Sequence, residues 1–245
     1  MDRNSSKYIL IFILILTASV AVALTGLREV TKEKAAQNED IFNKRAILSA
    51  VQNELPDGKK VADLSDAEVA AIFQNMEQPV LDMQGNIVEG EKAESIKMEQ
   101  ERKKPEADRE LPLYIYDHNG EKFYILSVRG KGLWDEIWGT VALKSDLNTI
   151  AGVAFDHKGE TPGLGAEIKD NPAFGRQFVG KKIYDNGNYV SVKARKGGAQ
   201  NKEHEVDAIS GATVTSDGVS EMLYRGIKYY EPYLNKIKQQ GLLVQ

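Results

Sequence analysis

The chain has 245 residues, of which 42% are hydrophobic and 28% charged, proportions that are ordinary for a protein with one globular domain and appendages. Its formal net charge of −4 lacks the basic excess that nucleic-acid-binding proteins carry, so we expect no nucleic-acid partner. Because the sequence contains no cysteine, disulfides, cysteine-ligated iron–sulfur clusters and thiol catalysis are excluded, and its 3 isolated histidines predict no metal site.

Behind a short tail of residues 1–7, residues 8–27 form an apolar segment without a charged side chain. A helix of about 20 residues is as long as the hydrocarbon layer of a bilayer is thick, so the segment predicts one transmembrane helix in a lipid bilayer. The small residues Ala21-Val22-Ala23 leave a cleaved signal peptide as an alternative. The apolar run continues past them, which favours a retained anchor, and the lysines and arginines at its two ends do not fix its orientation.

Residues 28–110 are predicted to form a helical, charged, membrane-proximal region. Helical spacing of apolar residues extends to about Lys60, and the run Ser65-Asp66-Ala67-Glu68 is typical of a capped short helix. Residues 89–110 are rich in Glu, Lys, Arg and Gln, a composition that indicates a solvated linker or an exposed helix.

Residues 111–240 have the pattern of a folded domain. Two runs rich in β-branched and aromatic residues, 113–116 and 123–128, flank the turn sequence Asp117-His118-Asn119-Gly120 and predict a β-hairpin. A final helix with an apolar stripe is predicted to begin after Thr215 or Ser216. Other predicted elements are strands at 137–143, 149–156, 182–184 and 189–193 and a short helix at 171–178. The sum predicts an α+β domain, an antiparallel sheet with flanking helices packed to one side, behind a single N-terminal transmembrane helix.

Two glycine-containing segments are candidates for a ligand site. In Glu160-Thr161-Pro162-Gly163-Leu164-Gly165 the proline and glycines predict a tight loop, whose exposed N–H groups, beside Thr161 and Glu160, can hydrogen-bond the polar edge of a planar heterocycle. In Gly132-Leu133-Trp134 the tryptophan is either part of the core at a tight bend or an aromatic wall beside a flat ring. An ordinary surface loop remains the alternative for the first segment.

A third segment, Ser210-Gly211-Ala212-Thr213, leads into the final helix. Backbone N–H groups and hydroxyls at a helix start can bind a phosphate, and a threonine there can carry a phosphate ester. The residues alone slightly favour the alternative of a loop followed by a helix cap, because serine and threonine are common there.

Together these three segments resemble the FMN-binding domains of respiratory flavoproteins. The run Ser210-Gly211-Ala212-Thr213, preceded by Asp207, looks like the flavinylation motif of that family, in which the last threonine of the run carries FMN through a phosphoester bond. The resemblance therefore implies FMN bound covalently at Thr213. We expect Leu164 against the ring and Thr161 or Glu160 near its polar edge. The other residues expected at the cofactor are Ser210, Gly211, Ala212, Asp207, Thr215, Gly163, Gly165 and Trp134.

Two branches of this family share these motifs: the C-type subunits of the sodium-translocating NADH:quinone reductases and the G-type subunits of the Rnf ferredoxin:NAD oxidoreductases. The run Asp146-Leu147-Asn148-Thr149-Ile150 favours the first branch. The resemblance implies an oxidoreductase subunit that transfers electrons and needs no catalytic acid, base or nucleophile of its own. It also implies, as partners, the other subunits of the membrane complex and a flavin transferase.

The resemblance places the chain in the bacterial cytoplasmic membrane with its domain on the periplasmic side. An alternative from another class is a membrane-anchored binding or assembly domain that carries no flavin.

Overall fold

A computed structural model describes residues 5–243. Residues 1–4 of the tail predicted at 1–7 lie outside the described residues. The chain divides into two compact units, one that ends at Asn43 and one that begins at Lys44. Residues 44–110 belong to the same compact unit as the sheet.

Helix α1, Ser6–Leu48, includes all of the predicted transmembrane segment. Its large apolar side chains between residues 9 and 30 are exposed, and its length and composition are sufficient to cross a membrane. The helix ends at Leu48, earlier than the predicted Lys60. The next residues form a 3₁₀ segment, Ser49–Glu54, in which Ala50 and Val51 are buried. Leu55 is extended because Pro56 follows it.

Five further α-helices follow in the described part of the chain. The predicted capped helix is present: the Ser65 hydroxyl accepts a hydrogen bond from the N–H of Glu68, whose carboxylate accepts one from the N–H of Ser65. The short helix predicted at 171–178 is also present, with the side chain of Asn171 as its cap. The helices are α2 (Asp66–Gln74), α3 (Met98–Glu101), α4 (Glu167–Asp170), α5 (Pro172–Arg176) and α6 (Thr213–Leu243).

The main sheet has six strands, and every neighbouring pair is antiparallel. The predicted hairpin is confirmed, and Asn119 and Gly120 form its turn with positive φ angles of 55° and 87°. The strands are β1 (Val80–Leu81), β2 (Ile87–Val88), β3 (Leu111–His118), β4 (Glu121–Lys131), β5 (Glu136–Leu143) and β6 (Ile150–His157), and their order across the sheet is β2-β1-β3-β4-β5-β6.

Both faces of the sheet are covered, so the expectation of helices on one side was wrong, although the α+β class and the antiparallel sheet are confirmed. On β3, Leu113 and Ile115 join the core that α6 completes. Tyr114 and Tyr116 join a second core with residues of α2. Because residues 113–116 alternate between two buried faces, the strand contains no charged residue there.

Two small sheets lie outside the main one. Strands β7 (Tyr184–Asp185) and β8 (Asn188–Tyr189) form a hairpin, and β9 (Lys193–Arg195) pairs with β10 (Glu205–Asp207) in parallel. The strand predicted at 189–193 is interrupted because Ser191 has a positive φ of 61°, which a continuous strand does not tolerate. The strand predicted at 182–184 begins only at Tyr184.

Helix α6 begins at Thr213, three to four residues earlier than predicted. The N–H of Ser216 donates to the carbonyl of Ala212, which closes the first turn, and the Ser216 hydroxyl accepts from the N–H of Ile209. The predicted apolar stripe is confirmed: Val219, Met222, Leu223, Ile227, Tyr230 and Leu234 are buried against the sheet.

Candidate cofactor site

A cavity of about 170 Å³ lies where the three segments singled out in the sequence meet. The segments are the β4–β5 connection, the loop after β6 and the start of α6, which are far apart in the sequence. The lining residues are Leu133, Glu160, Thr161, Leu164, Gly165, Gly211, Ala212, Thr213, Val214 and Thr215. The structure thus brings most of the predicted cofactor residues together around one cavity.

The buried carboxylate of Glu160 connects all three segments. Its Oε1 accepts a hydrogen bond from the backbone N–H of Trp134 at 2.9 Å, and its Oε2 accepts one from the hydroxyl of Thr215 at 2.6 Å. The backbone N–H of Glu160 donates to Nδ1 of His157 at 3.2 Å, which ties the loop back to the end of β6. Only 4% of Glu160 is exposed. One side chain therefore fixes the walls of the cavity relative to one another.

Two glycines allow Glu160 to occupy this position. A Cβ atom on Gly132 would lie 2.5 Å from Oε1 of Glu160. A Cβ atom on Gly165 would overlap Oε2 of Glu160 and lie 2.7 Å from Oγ1 of Thr215. The glycines of these motifs are needed because the carboxylate and the backbone approach closely.

A turn holds the tryptophan segment in place. The N–H of Gly132 donates to the carbonyl of Asp135, and the Asp135 carboxylate accepts from the N–H of Glu136 and pairs with Lys158. The hydrogen bond from the Glu136 N–H, and to a lesser extent the one from Lys158, hold the pKa of Asp135 below its usual value. These contacts join the β4–β5 connection to the segment that leads into the glycine loop.

Trp134 lies at the edge of the cavity and is not a core residue. Its side chain is 66% exposed, and its indole Nε1 donates to the hydroxyl of Thr161 at 3.0 Å. Leu133, Leu164 and Val214 are 51%, 42% and 54% exposed, so they form an apolar rim. Sequence reasoning missed Leu133 and Val214 as lining residues, although both are large apolar residues directly beside chosen positions.

The hydroxyl groups at the start of α6 differ in accessibility. Thr215 is 1% exposed and its hydroxyl is hydrogen-bonded to Glu160, while Ser216 is fully buried. Thr213 is half-buried and lines the cavity. Ser210 is exposed but is not one of the lining residues. Of the two threonines that line the cavity in the first turn of α6, Thr213 is the less buried one.

Besides Ser210, three predicted site residues lie outside the cavity lining. Asp207 accepts a hydrogen bond from the N–H of Ala199 at 2.7 Å, and its own N–H donates to Gln177. Asp207 thus supports the loop between β9 and β10. Gly163, with a φ of +72°, forms the turn of the glycine loop. Trp134 is not a lining residue, and its indole N–H donates to the hydroxyl of Thr161. A contact between any of them and a cofactor stays a prediction.

The lining residues suit a ligand with a flat apolar part and a phosphate. Gly211, with a φ of +77°, leaves no room for a Cβ, which would lie 2.9 Å from Cδ2 of Leu164, so backbone and leucine approach closely here. The N–H groups of the first turn of any helix have no intrahelical partner and favour negative charge, and those of α6 begin at Thr213.

Comparison with known proteins identifies relatives. A family model described as an FMN-binding domain matches residues 132–228, a range that includes all three segments of the cavity. The C-type subunit of the Na⁺-translocating NADH-quinone reductase of Neisseria meningitidis serogroup A is 33% identical over 98% of this chain and 97% of its own length. The corresponding protein of Vibrio alginolyticus is 31% identical over 94% of this chain and 92% of its own length.

Two solved structures of related proteins have a fold similar to that of this chain. The crystal structure of the C-type subunit of the Na⁺-translocating NADH-quinone reductase from Parabacteroides distasonis is 33% identical and has a TM-score of 0.72, over 83% of this chain and 96% of that one. NqrC of Shewanella oneidensis is 25% identical with a TM-score of 0.69, over 82% of this chain and 99% of that one.

Proposed function

The chain belongs to the NqrC family, the C-type subunits of the Na⁺-translocating NADH-quinone reductases, and from this premise we propose that it is a membrane-anchored electron-transfer subunit of such a complex, with FMN attached to Thr213 through a phosphoester bond. The observation that carries the proposal is the cavity itself. Its lining joins the glycine loop to the first turn of α6 and includes the half-buried Thr213.

The position of Thr213 suits a phosphoester. As the first residue of α6, a helix of 31 residues, it lies where N–H groups and the helix dipole stabilise the charge that a phosphodiester retains. Thr215 is a poorer candidate because its hydroxyl is buried and already donates to Glu160.

The apolar rim suits the ring of a flavin. Leu133 and Leu164 supply apolar contacts, and the hydroxyl of Thr161 lies beside them at the rim. The electron chemistry is supplied by FMN when it is bound, while the protein orients the ring and adjusts its potential. A covalent bond prevents loss of the cofactor, so that the same flavin serves as a relay through many turnovers.

We propose that α1 retains the chain in the cytoplasmic membrane and that the domain faces the periplasm. The partners would be the other subunits of the reductase and a flavin transferase that forms the ester. The exposed apolar side chains of α1 support the anchor. The names of the relatives favour this complex over the Rnf type. Orientation is tested by reporter fusions at the C-terminus that are active on one side of the membrane only.

The function is tested by mass spectrometry on the full chain produced together with a flavin transferase. We expect a mass increase of one FMN less one water, the balance of ester formation, and flavin fluorescence of the denatured band on a gel, both lost in Thr213→Ala. Ser210→Ala, which changes an exposed hydroxyl of the same motif, is the matched control and should keep the adduct. A wild-type chain without an adduct would support the alternative of a binding or assembly domain.

A further inference from the structure

Glu160 is the only ionisable residue among the ten that line the cavity in residues 5–243. Its carboxylate is buried, and the two groups that donate to it, the N–H of Trp134 and the hydroxyl of Thr215, are both neutral. A carboxylate is therefore built into the wall of a site that is otherwise lined by apolar and hydroxyl-bearing residues.

The position of this charge is fixed. Each oxygen has its own donor, and the space that a Cβ would need at Gly132 or Gly165 is taken up by the carboxylate. Rotation of the Glu160 side chain out of the wall would break both hydrogen bonds and leave a cavity beside the two glycines. The charge consequently acts on whatever occupies the cavity from a constant position.

We propose that the carboxylate of Glu160 lowers the reduction potential of the flavin held in this cavity. The inference rests on the proposed function. When the oxidised ring takes up one electron from a donor, it gains one negative charge unless a proton follows. A nearby carboxylate opposes that gain, and burial strengthens the repulsion because little water lies between the two charges.

Replacement of Glu160 by glutamine tests the effect of the charge, because glutamine has nearly the same shape but is neutral. The amide oxygen can accept from the Trp134 N–H, and the amide NH₂ can donate to the Thr215 hydroxyl, which is able to accept. Glu160→Gln thus keeps both links and removes only the charge. Because it also removes a buried charge, the variant should unfold at a temperature no lower than that of the wild type.

The test is a spectroelectrochemical titration of the full chain in detergent, with the flavin covalently attached and the electrons supplied by an electrode through mediators. For Glu160→Gln we expect a positive shift of the midpoint potential of about 59 mV or more, which corresponds to a tenfold change in a one-electron equilibrium constant. Glu160→Asp keeps the charge but cannot reach both donors, so its potential should stay closer to that of the wild type.

The outcomes distinguish this inference from the proposed function. If the wild type carries no flavin, the proposed function fails and the inference fails with it. If wild type and Glu160→Gln both carry flavin at equal potentials, only the inference fails. It also fails if Glu160→Asp shifts the potential as far as Glu160→Gln does, because hydrogen-bond geometry would then set the value. A folded Glu160→Gln protein that takes up no flavin contradicts it as well, since the carboxylate would then serve attachment.

Discussion

Oγ1 of Thr215 lies 2.6 Å from Oε2 of Glu160, so that the first turn of α6 is hydrogen-bonded to the glycine loop on the other side of the cavity. The two threonines of this helical turn therefore have different roles. Thr215 is 1% exposed and ties the turn in place, whereas Thr213 is half-buried and lines the cavity.

Replacement of Thr215 by valine should weaken the fold and leave flavin attachment intact. Valine has nearly the same shape, but Oε2 of Glu160 loses its donor, which should lower the free energy of unfolding by about 1–3 kcal/mol. Urea unfolding and flavin fluorescence of the denatured band measure the two effects. Thr215→Ser keeps the hydroxyl and serves as the control. An adduct that is lost in Thr215→Val but kept in Thr213→Ala would place the ester on Thr215.

Gly165→Ala should reduce both stability and flavin content. Its Cβ would overlap the Glu160 carboxylate and the Thr215 hydroxyl, which forces the wall of the cavity apart at a cost of roughly 1–3 kcal/mol. Gly159→Ala is the matched control, because a Cβ there meets no atom within 4 Å. The bound flavin per chain and the unfolding temperature are measured for both variants. Equal losses in the two would contradict the role of close packing around Glu160.

Tyr230→Phe should destabilise the domain without affecting attachment. The buried hydroxyl lies 2.9 Å from the carbonyl of Pro112 and 3.1 Å from that of Ser127, and it accepts from the N–H of Ser127 at 3.2 Å. Burial raises the pKa of Tyr230, so the hydroxyl stays protonated. We expect a loss of about 1–3 kcal/mol in the free energy of unfolding. In Tyr229→Phe, whose hydroxyl makes only longer contacts of 3.3 and 3.4 Å, the change should stay within about 0.5 kcal/mol.

The stability contributed by Glu205 should disappear at low pH. The N–H groups of Asn201 and Gln200, and after them Arg195, lower the pKa of Glu205 from 4.5 to about 2. A group with a depressed pKa in the folded state stabilises the protein above its unfolded value and loses that contribution as the pH falls through the folded value. The wild type should therefore unfold at a higher temperature than Glu205→Gln at pH 7, and the difference should shrink between pH 4.5 and pH 2. A difference that stays constant over this range would contradict the assignment.

The segments that line the cavity could be singled out in the sequence because each contains glycines, hydroxyl groups or both in a pattern that indicates a ligand. The glycine loop and the Ser210–Thr213 run each indicated a ligand, and residues of both line the same cavity. The inward position of Glu160 could not be predicted, since it depends on Gly132 and Gly165 coming close together in space. The sequence pointed to this residue as a contact for the polar edge of a ring, whereas its oxygens are hydrogen-bonded to Trp134 and Thr215.

The hairpin of β3 and β4 was predictable because a turn with Asn119 and Gly120 separates two runs of strand-forming residues. The start of α6 was placed too late because Thr215 and Ser216 have the side chains of helix caps, although both are inside the helix. The hydroxyl of Ser216 does serve the helix start, since it accepts from Ile209 N–H, but from within the first turn. The break in the strand near Ser191 could not be predicted, because the positive φ of Ser191 has no signal in the local sequence.

The order of the elements along the chain also determines when the cavity can form. Each strand pairs with a neighbour in sequence, so the sheet can assemble progressively as successive strands become available. Helix α6 comes last and brings Thr213 together with one wall of the cavity. A chain that ends before residue 213 therefore lacks Thr213, and under the proposed function it could carry no covalent flavin.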